Sequence, residues 1–177
     1  MHRLFVALRL PLPMREQLLA VMEGVPGARW QDDDQLHLTL RFIGEVEPQM
    51  ADDIALTLDR VDHPRPTIAL AGVGAFGRKG RPHTLWAGLR PDARLDQLQR
   101  RVDRALVTAG LPAEPRRFHP HVTLARLNRS AGPPDMFLAS HAGLASGATE
   151  LDAFYLYESE LGSHGATYTV VARYPLV

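Results

Sequence analysis

Two short stretches of this chain place the same polar pair on an apolar background: HLTL at 37–40 and HVTL at 121–124. In an extended chain, residues i and i+2 point to the same side. His37 and Thr39 therefore share one face, with Leu38 and Leu40 on the other. His121 and Thr123 repeat the arrangement, with Val122 and Leu124 opposite. Leucines on one face can meet a helix while the polar pair meets a cleft. An imidazole can give or take a proton near neutral pH. Two of them, on opposite sides of a phosphate, can divide the work: one activates water, the other protonates the departing oxygen. The threonine hydroxyls can hydrogen-bond non-bridging phosphate oxygens and stabilise charge in a five-coordinate transition state. Such chemistry needs no metal and no cofactor. Arg126 lies just beyond the second pair and suits phosphate charge, but strict alternation sets it on the face opposite His121.

One H-x-T in a strand is a weak signal. Two copies 84 residues apart (121 minus 37), close to half the chain, are much stronger. The competing reading is an old duplication whose histidines now only pack. The period is too long for a solenoid and suits two similar lobes that each lend one copy to a shared cleft.

The surrounding elements follow from pattern and punctuation. RLFVALRL at 3–10 is rich in strand formers, and Pro11 and Pro13 end it. A helix is predicted over 14–24, then a strand over 36–43 closed by Gly44. Pro48 opens a second helix, with Met50, Ile54 and Leu58 recurring along 48–60. Strands at 67–76 and 83–90 flank the turn GRKGRP. Asp92 caps a helix over 93–109 with the stripe Leu95, Leu98, Val102 and Leu106, stopped by Gly110. FHPHVTLAR at 118–126 reads as a strand. A short helix follows Pro133 and Pro134, and strands at 150–158 and 167–174 complete an α+β chain.

Composition narrows the function classes. The formal net charge is zero, which argues against a protein that coats long nucleic acid but allows the grip of one phosphate or one RNA end. The basic residues are almost all arginine, with Lys79 the only lysine; a GC-rich genome explains that skew. The absence of cysteine excludes disulfides, thiol catalysis and zinc–thiolate sites and suits a cytoplasmic protein. No apolar run approaches a membrane span. The N-terminal stretch fails as a signal sequence, because Arg9 interrupts it and no small-residue cleavage site follows.

These motifs resemble the paired H-x-T-x signature of the 2H phosphoesterase superfamily, and most closely its RNA 2′,3′-cyclic phosphodiesterase branch, also called bacterial 2′–5′ RNA ligases. The resemblance extends over nearly the whole chain. It includes RLFVAL, HLTLRFIGEV at 37–46, GVGAFGRKGRPHTLWAGL at 72–89, FHPHVTLAR, and LYESELGSHGATYTVVARYPL. It implies one domain over 1–177, built from two interleaved, similar lobes related by a pseudo-twofold axis. Two antiparallel sheets would flank a central groove, with helices outside. It implies hydrolysis of a 2′,3′-cyclic phosphate on RNA or a nucleotide to a 2′-phosphate; the protein is expected to be a monomer. His37 would donate the proton to the leaving 3′-oxygen, and His121 would accept the proton from water. Thr39, Thr123 and Arg126 match the positions that contact phosphate. No nucleotide-activation motif such as a P-loop accompanies them.

Two rivals remain open. The same histidines could serve another cyclic phosphate, such as ADP-ribose 1″,2″-cyclic phosphate, or a 2′–5′ linkage. Alternatively, the groove could bind RNA ends or nucleotides without turnover. Elsewhere, His119 is read as a structural neighbour of His121, and His2, His63, His83, His141 and His164 as surface or loop residues. Phe42, Phe76, Trp86 and Phe118 could stack a base, though core packing is the first reading for each. Arg78, Lys79 and Arg81 could guide RNA or be a solvated loop. The glycine-bearing ESELGSHGATY at 158–168 reads as a hairpin with no assigned chemistry.

Overall fold

The computed structural model describes residues 1–177. Strand β1 (His2–Arg9) leads into helix α1 (Leu12–Val21), a short strand β2 (Arg29–Trp30) and a 3-10 turn (Asp33–Gln35). Then come β3 (His37–Val46), α2 (Pro48–Leu58), β4 (Thr67–Ile68), β5 (Leu70–Arg78), β6 (Arg81–Leu89) and α3 (Ala93–Thr108). The chain ends with β7 (His121–Arg126), α4 (Asp135–Ser140), β8 (Thr149–Glu150), β9 (Ala153–Gly162) and β10 (Gly165–Pro175). No helix is long and apolar enough to cross a membrane.

The expected pair of sheets is corrected by the strand pairing. One eight-stranded sheet runs β10-β9-β1-β3-β7-β6-β5, with β2 added on β7, and a separate two-stranded ribbon joins β4 to β8. All pairs are antiparallel. The seam between β3 and β7 is narrow: its one registered pair is Leu38 with Val122. Even this short pairing occupies backbone groups that two separate sheets would leave bare along their inner edges. The seam lies at the start of the two histidine motifs.

The core fills one face of the sheet. Leu38, Leu40, Val122 and Leu124 join the leucine stripe of α3 and Ile54 and Leu58 of α2 in a single cluster of 31 buried residues. Asp92 caps α3, its carboxylate accepting from the backbone N–H groups of Arg94 and Leu95. Phe5, Ala7 and Tyr157 form a small, separate cluster, with Phe5 on the cleft wall of the opposite face.

Several boundaries moved for local reasons. Helix α1 starts at Leu12 because Pro13 fits its first turn. The strand expected at 67–76 is broken at Ala69, so β4 pairs with β8 while β5 pairs with β6. β5 and β6 run on to Arg78 and Arg81, joined through Lys79 and Gly80, both at positive φ, as a two-residue hairpin turn requires. β7 begins only at His121, so His119 and Pro120 precede it. His63, expected in a loop at the surface, is 2% exposed, and its Nδ1 donates to the carbonyl of Pro64.

Candidate active site

Both H-x-T pairs face one cleft of about 950 Å³. With Leu38 opposite Val122 in an antiparallel pair, His37 is set beside Thr123, and Thr39 beside His121, on the face turned away from the core. The structure thus gathers His37, Thr39, His121, Thr123 and Arg126 around a single space.

Arg126 reaches that space because of a bulge. Along the β6–β7 ladder, Thr123 pairs with Trp86 and Ala125 with Leu85, leaving Leu124 without a partner. Leu124 and Ala125 are consecutive and both fully buried. The alternation slips by one residue, and Arg126 returns to the cleft side. β3 carries the same irregularity at the matching place: Thr39 pairs with Ala7 and Arg41 with Val6, omitting Leu40. Leu40 and Arg41 are both buried, and Phe42 turns to the cleft, 45% exposed. The expectation that Phe42 packs in the core is therefore corrected. The guanidinium of Arg3 lies 5.3 Å from its ring centre.

The two imidazoles are oriented alike. His37 Nδ1 lies 2.7 Å from the carbonyl oxygen of Gln35, and His121 Nδ1 lies 2.6 Å from that of His119. A carbonyl only accepts, so in each ring Nδ1 carries the hydrogen and Nε2 is the working nitrogen. His37 Nε2 lies 3.0 Å from Thr39 Oγ1, with the hydroxyl donating. His121 Nε2 has no protein partner. Arg126 donates to Thr84 Oγ1 at 3.0 Å.

The surroundings of the rings differ. His37 lies against Phe5, with ring centres 4.9 Å apart, and edge-on to Tyr168 at 5.3 Å. His121 meets Phe76 edge-on at 4.9 Å, and His119 lies edge-on to Trp86 at 4.9 Å. Trp86 lies flat across Gly74, where a Cβ would fall 2.3 Å from the indole. Burial pushes His37 down to about 4; its bond to the Gln35 carbonyl pulls the other way, and the charges of His121 and Arg126 depress it further. His121 is also lowered, chiefly by burial.

These shifts set a sign for stability. The unfolded His37 takes up its proton near pH 6.5, and the folded one only near 4. Between those values the unfolded chain binds more protons, so stability rises with pH across that window and this contribution is flat above it. Urea midpoints of the wild type are expected to fall from pH 6.5 to 4.5 more steeply than those of His37→Gln. Equal slopes would contradict the burial of this ring.

Sequence reasoning missed other cleft residues. β2, which brings Arg29 and Trp30 to the cleft, is two residues long and has no periodicity to betray it. Phe5 was legible only as the odd-numbered face of β1, where Arg3, Phe5, Ala7 and Arg9 alternate with Leu4, Val6 and Leu8. The β9–β10 hairpin, which carried no chemistry in the sequence reading, supplies a cleft wall through Ser159, Leu161, His164 and Tyr168. Gln35 ties it down, its Nε2 donating to the Ala166 carbonyl at 2.8 Å. Arg78 and Lys79 stay outside the cleft.

The chain as a whole is similar to known proteins. The model of the 2′-5′ RNA ligase superfamily matches residues 17–162. The RNA 2′,3′-cyclic phosphodiesterase of Aeropyrum pernix is 36% identical over 148 residues, covering 82% of this chain and 84% of its own. That of Escherichia coli K12 is 33% identical over 181 residues, covering 99% and 97%. The crystal structure of E. coli LigT complexed with 3′-AMP superposes with a TM-score of 0.81 at 29% identity, covering 99% of this chain and 98% of that one. A chain matched by the family model and by these relatives over four-fifths or more of its length belongs to the 2′-5′ RNA ligase superfamily, within its RNA 2′,3′-cyclic phosphodiesterase family.

Proposed function

We propose that this protein hydrolyses 2′,3′-cyclic phosphates at RNA ends or on nucleotides to 2′-phosphates, with His121 as general base and His37 as general acid. The observation that carries the reading is the matched pair of imidazoles. Each is fixed by Nδ1 to a carbonyl two residues back, and each turns its Nε2 edge to the shared cleft that Thr39 and Thr123 line.

The steps balance without a metal. Water attacks phosphorus as His121 Nε2 removes its proton. The bond from phosphorus to O3′ breaks, and Nε2–H of His37 protonates the departing oxygen. The product carries a 3′-hydroxyl and a 2′-phosphate, and the histidines return to their starting states by exchange with solvent. Thr39, Thr123 and Arg126 hold the non-bridging oxygens and offset the charge that grows there. His121, lowered below its ordinary value, is neutral and ready as a base. His37 needs its proton, and an anionic phosphate bound in the cleft favours that proton by opposing the charge of Arg126. Phe42, exposed on the wall, offers a ring face for a base. The 3′-AMP in the E. coli LigT crystal structure supports a nucleotide-sized occupant.

The test is to incubate the enzyme with an RNA oligomer ending in 2′,3′-cyclic phosphate and follow the product by phosphorus NMR, with and without EDTA. A 2′-phosphate formed equally in both is expected. A 3′-phosphate, or activity lost to EDTA and restored by a divalent ion, would overturn the mechanism. Tight binding of a 2′-phosphate with no turnover of any cyclic phosphate would instead indicate a binding module.

A further inference from the structure

Four arginines line the cleft: Arg3, Arg29, Arg116 and Arg126, against one carboxylate, Asp32. Three of them have a partner. Arg3 lies over Phe42, Arg116 pairs with Glu114 at 3.0 Å, and Arg126 donates to Thr84. Arg29 has no hydrogen-bonded side-chain partner and no ion pair; Asp32 is not within ion-pair distance of it. Its cross-strand neighbour in the β2–β7 register is Arg126. Like charges placed directly opposite on a ladder repel, so the pair gives the cleft an attraction for anions.

The seat of Arg29 is shaped as well as charged. Its guanidinium reaches from β2 to the turn of the β9–β10 hairpin. A Cβ at Gly165 would stand 3.2 Å from its terminal nitrogen and 3.6 Å from Gln35 Nε2. Gly165 is at φ +111, a conformation that glycine adopts readily. The bare backbone there leaves room for the arginine at the rim beside the motif strands.

Charge counting then identifies a ligand. A 2′,3′-cyclic phosphate is a monoanion, and Arg126 matches its charge. Arg29 is a second positive charge, one ladder position away, with nothing in the protein to meet it. The next negative charge on an RNA terminus is the phosphodiester 5′ of the terminal nucleoside. We infer that Arg29 is a second phosphate-binding residue that contacts this internucleotide phosphate, and so selects cyclic phosphates carried on a chain over those of free mononucleotides. This inference rests on the cyclic phosphodiesterase reading above.

The experiment compares kcat/KM for 2′,3′-cyclic AMP and for the dinucleotide ApA ending in a 2′,3′-cyclic phosphate, in wild type, Arg29→Gln and Arg29→Lys. The wild type is expected to favour the dinucleotide. Arg29→Gln should lower kcat/KM on the dinucleotide about tenfold, the effect of one lost charge-assisted contact, while leaving the mononucleotide within about twofold. The salt dependence on the dinucleotide should flatten by a log–log slope of about 0.7, that of one phosphate contact on a single strand. Arg29→Lys should keep that slope and part of the preference. Equal losses on both substrates would overturn the inference, since Arg29 would then act on the scissile phosphate or on the fold. No loss on either, or no wild-type preference, would also overturn it. A wild type that turns over neither substrate would remove the cyclic phosphodiesterase reading, and this inference with it.

Discussion

Replacing either His37 or His121 with alanine is expected to lower kcat on a 2′,3′-cyclic nucleotide by about 10³-fold, within the range assigned to one general acid or base. The far-ultraviolet circular dichroism of both variants should match the wild type. Both rings sit on the cleft face, outside the 31-residue cluster that holds the sheet to its helices, so their loss leaves the main packing in place. The pH profile of kcat/KM separates the two roles. His121→Ala should lose the acidic limb, where the base becomes protonated, and His37→Ala the alkaline limb, where the acid becomes deprotonated. Activity within tenfold of wild type in either variant would remove the two-histidine mechanism, and loss of the same limb in both would remove the division of labour.

The second large effect is on stability, at a residue with no direct part in the chemistry. Arg41 is 7% exposed and lies on the core side of β3 because of the bulge at Leu40. It is ion-paired with Asp103 of α3, donates to the Pro112 carbonyl at 2.6 Å, and has its Nε 3.9 Å from Glu114. Arg41→Ala would leave Asp103 without its charge partner and the Pro112 carbonyl without its donor, and would open a cavity, while Glu114 keeps Arg116. Breaking a buried pair from one side costs several kcal/mol. Because Asp103 and Glu114 are each about one-fifth exposed, the expected loss is at the lower end of that range, about 3 kcal/mol, read as a drop in urea midpoint. Adding Asp103→Ala to Arg41→Ala should cost less than the sum of the two single changes, because the second removes a charge the first left unpaired. A loss below about 1 kcal/mol for Arg41→Ala would mean that water reaches the site freely. A functional consequence follows from the connectivity. The segment Arg41 anchors at Pro112 and Glu114 leads to His119, whose carbonyl orients His121.

How much of this was legible in the sequence varies with the range of the interactions. The long helices were readable because their signals are local. Asp92, Gly110 and the stripe of α3 lie within one stretch, and the observed helix ends one residue from the expected boundary. The HLTL and HVTL pairs were equally readable, since strand alternation alone sets histidine and threonine on one side and leucine on the other. β2 was not readable. A two-residue strand exists only because β7 offers it a partner, and no pattern inside Arg29–Trp30 announces that. The same holds for the aromatic cluster in which Phe5 of β1 meets Tyr157 and Tyr168 of the distant β9–β10 hairpin.

Arg126 marks the division most clearly. The chain alone established its charge, its place two residues past Leu124, and a strand phase that pointed it away from His121. Whether the phase holds depends on which residues pair with β6, and Leu124 is passed over there. A bulge is a property of a ladder, made by two strands together, and so the sequence of one strand does not contain it. The same applies to Phe42 on β3 and to the joining of both motif strands in one sheet. The sequence by itself determined which residues could share a proton and a phosphate between them. Tertiary pairing decided that they share one cleft, that Arg126 enters it, and that Arg29 stands opposite Arg126, because cross-strand registers are set by packing between segments distant in the chain.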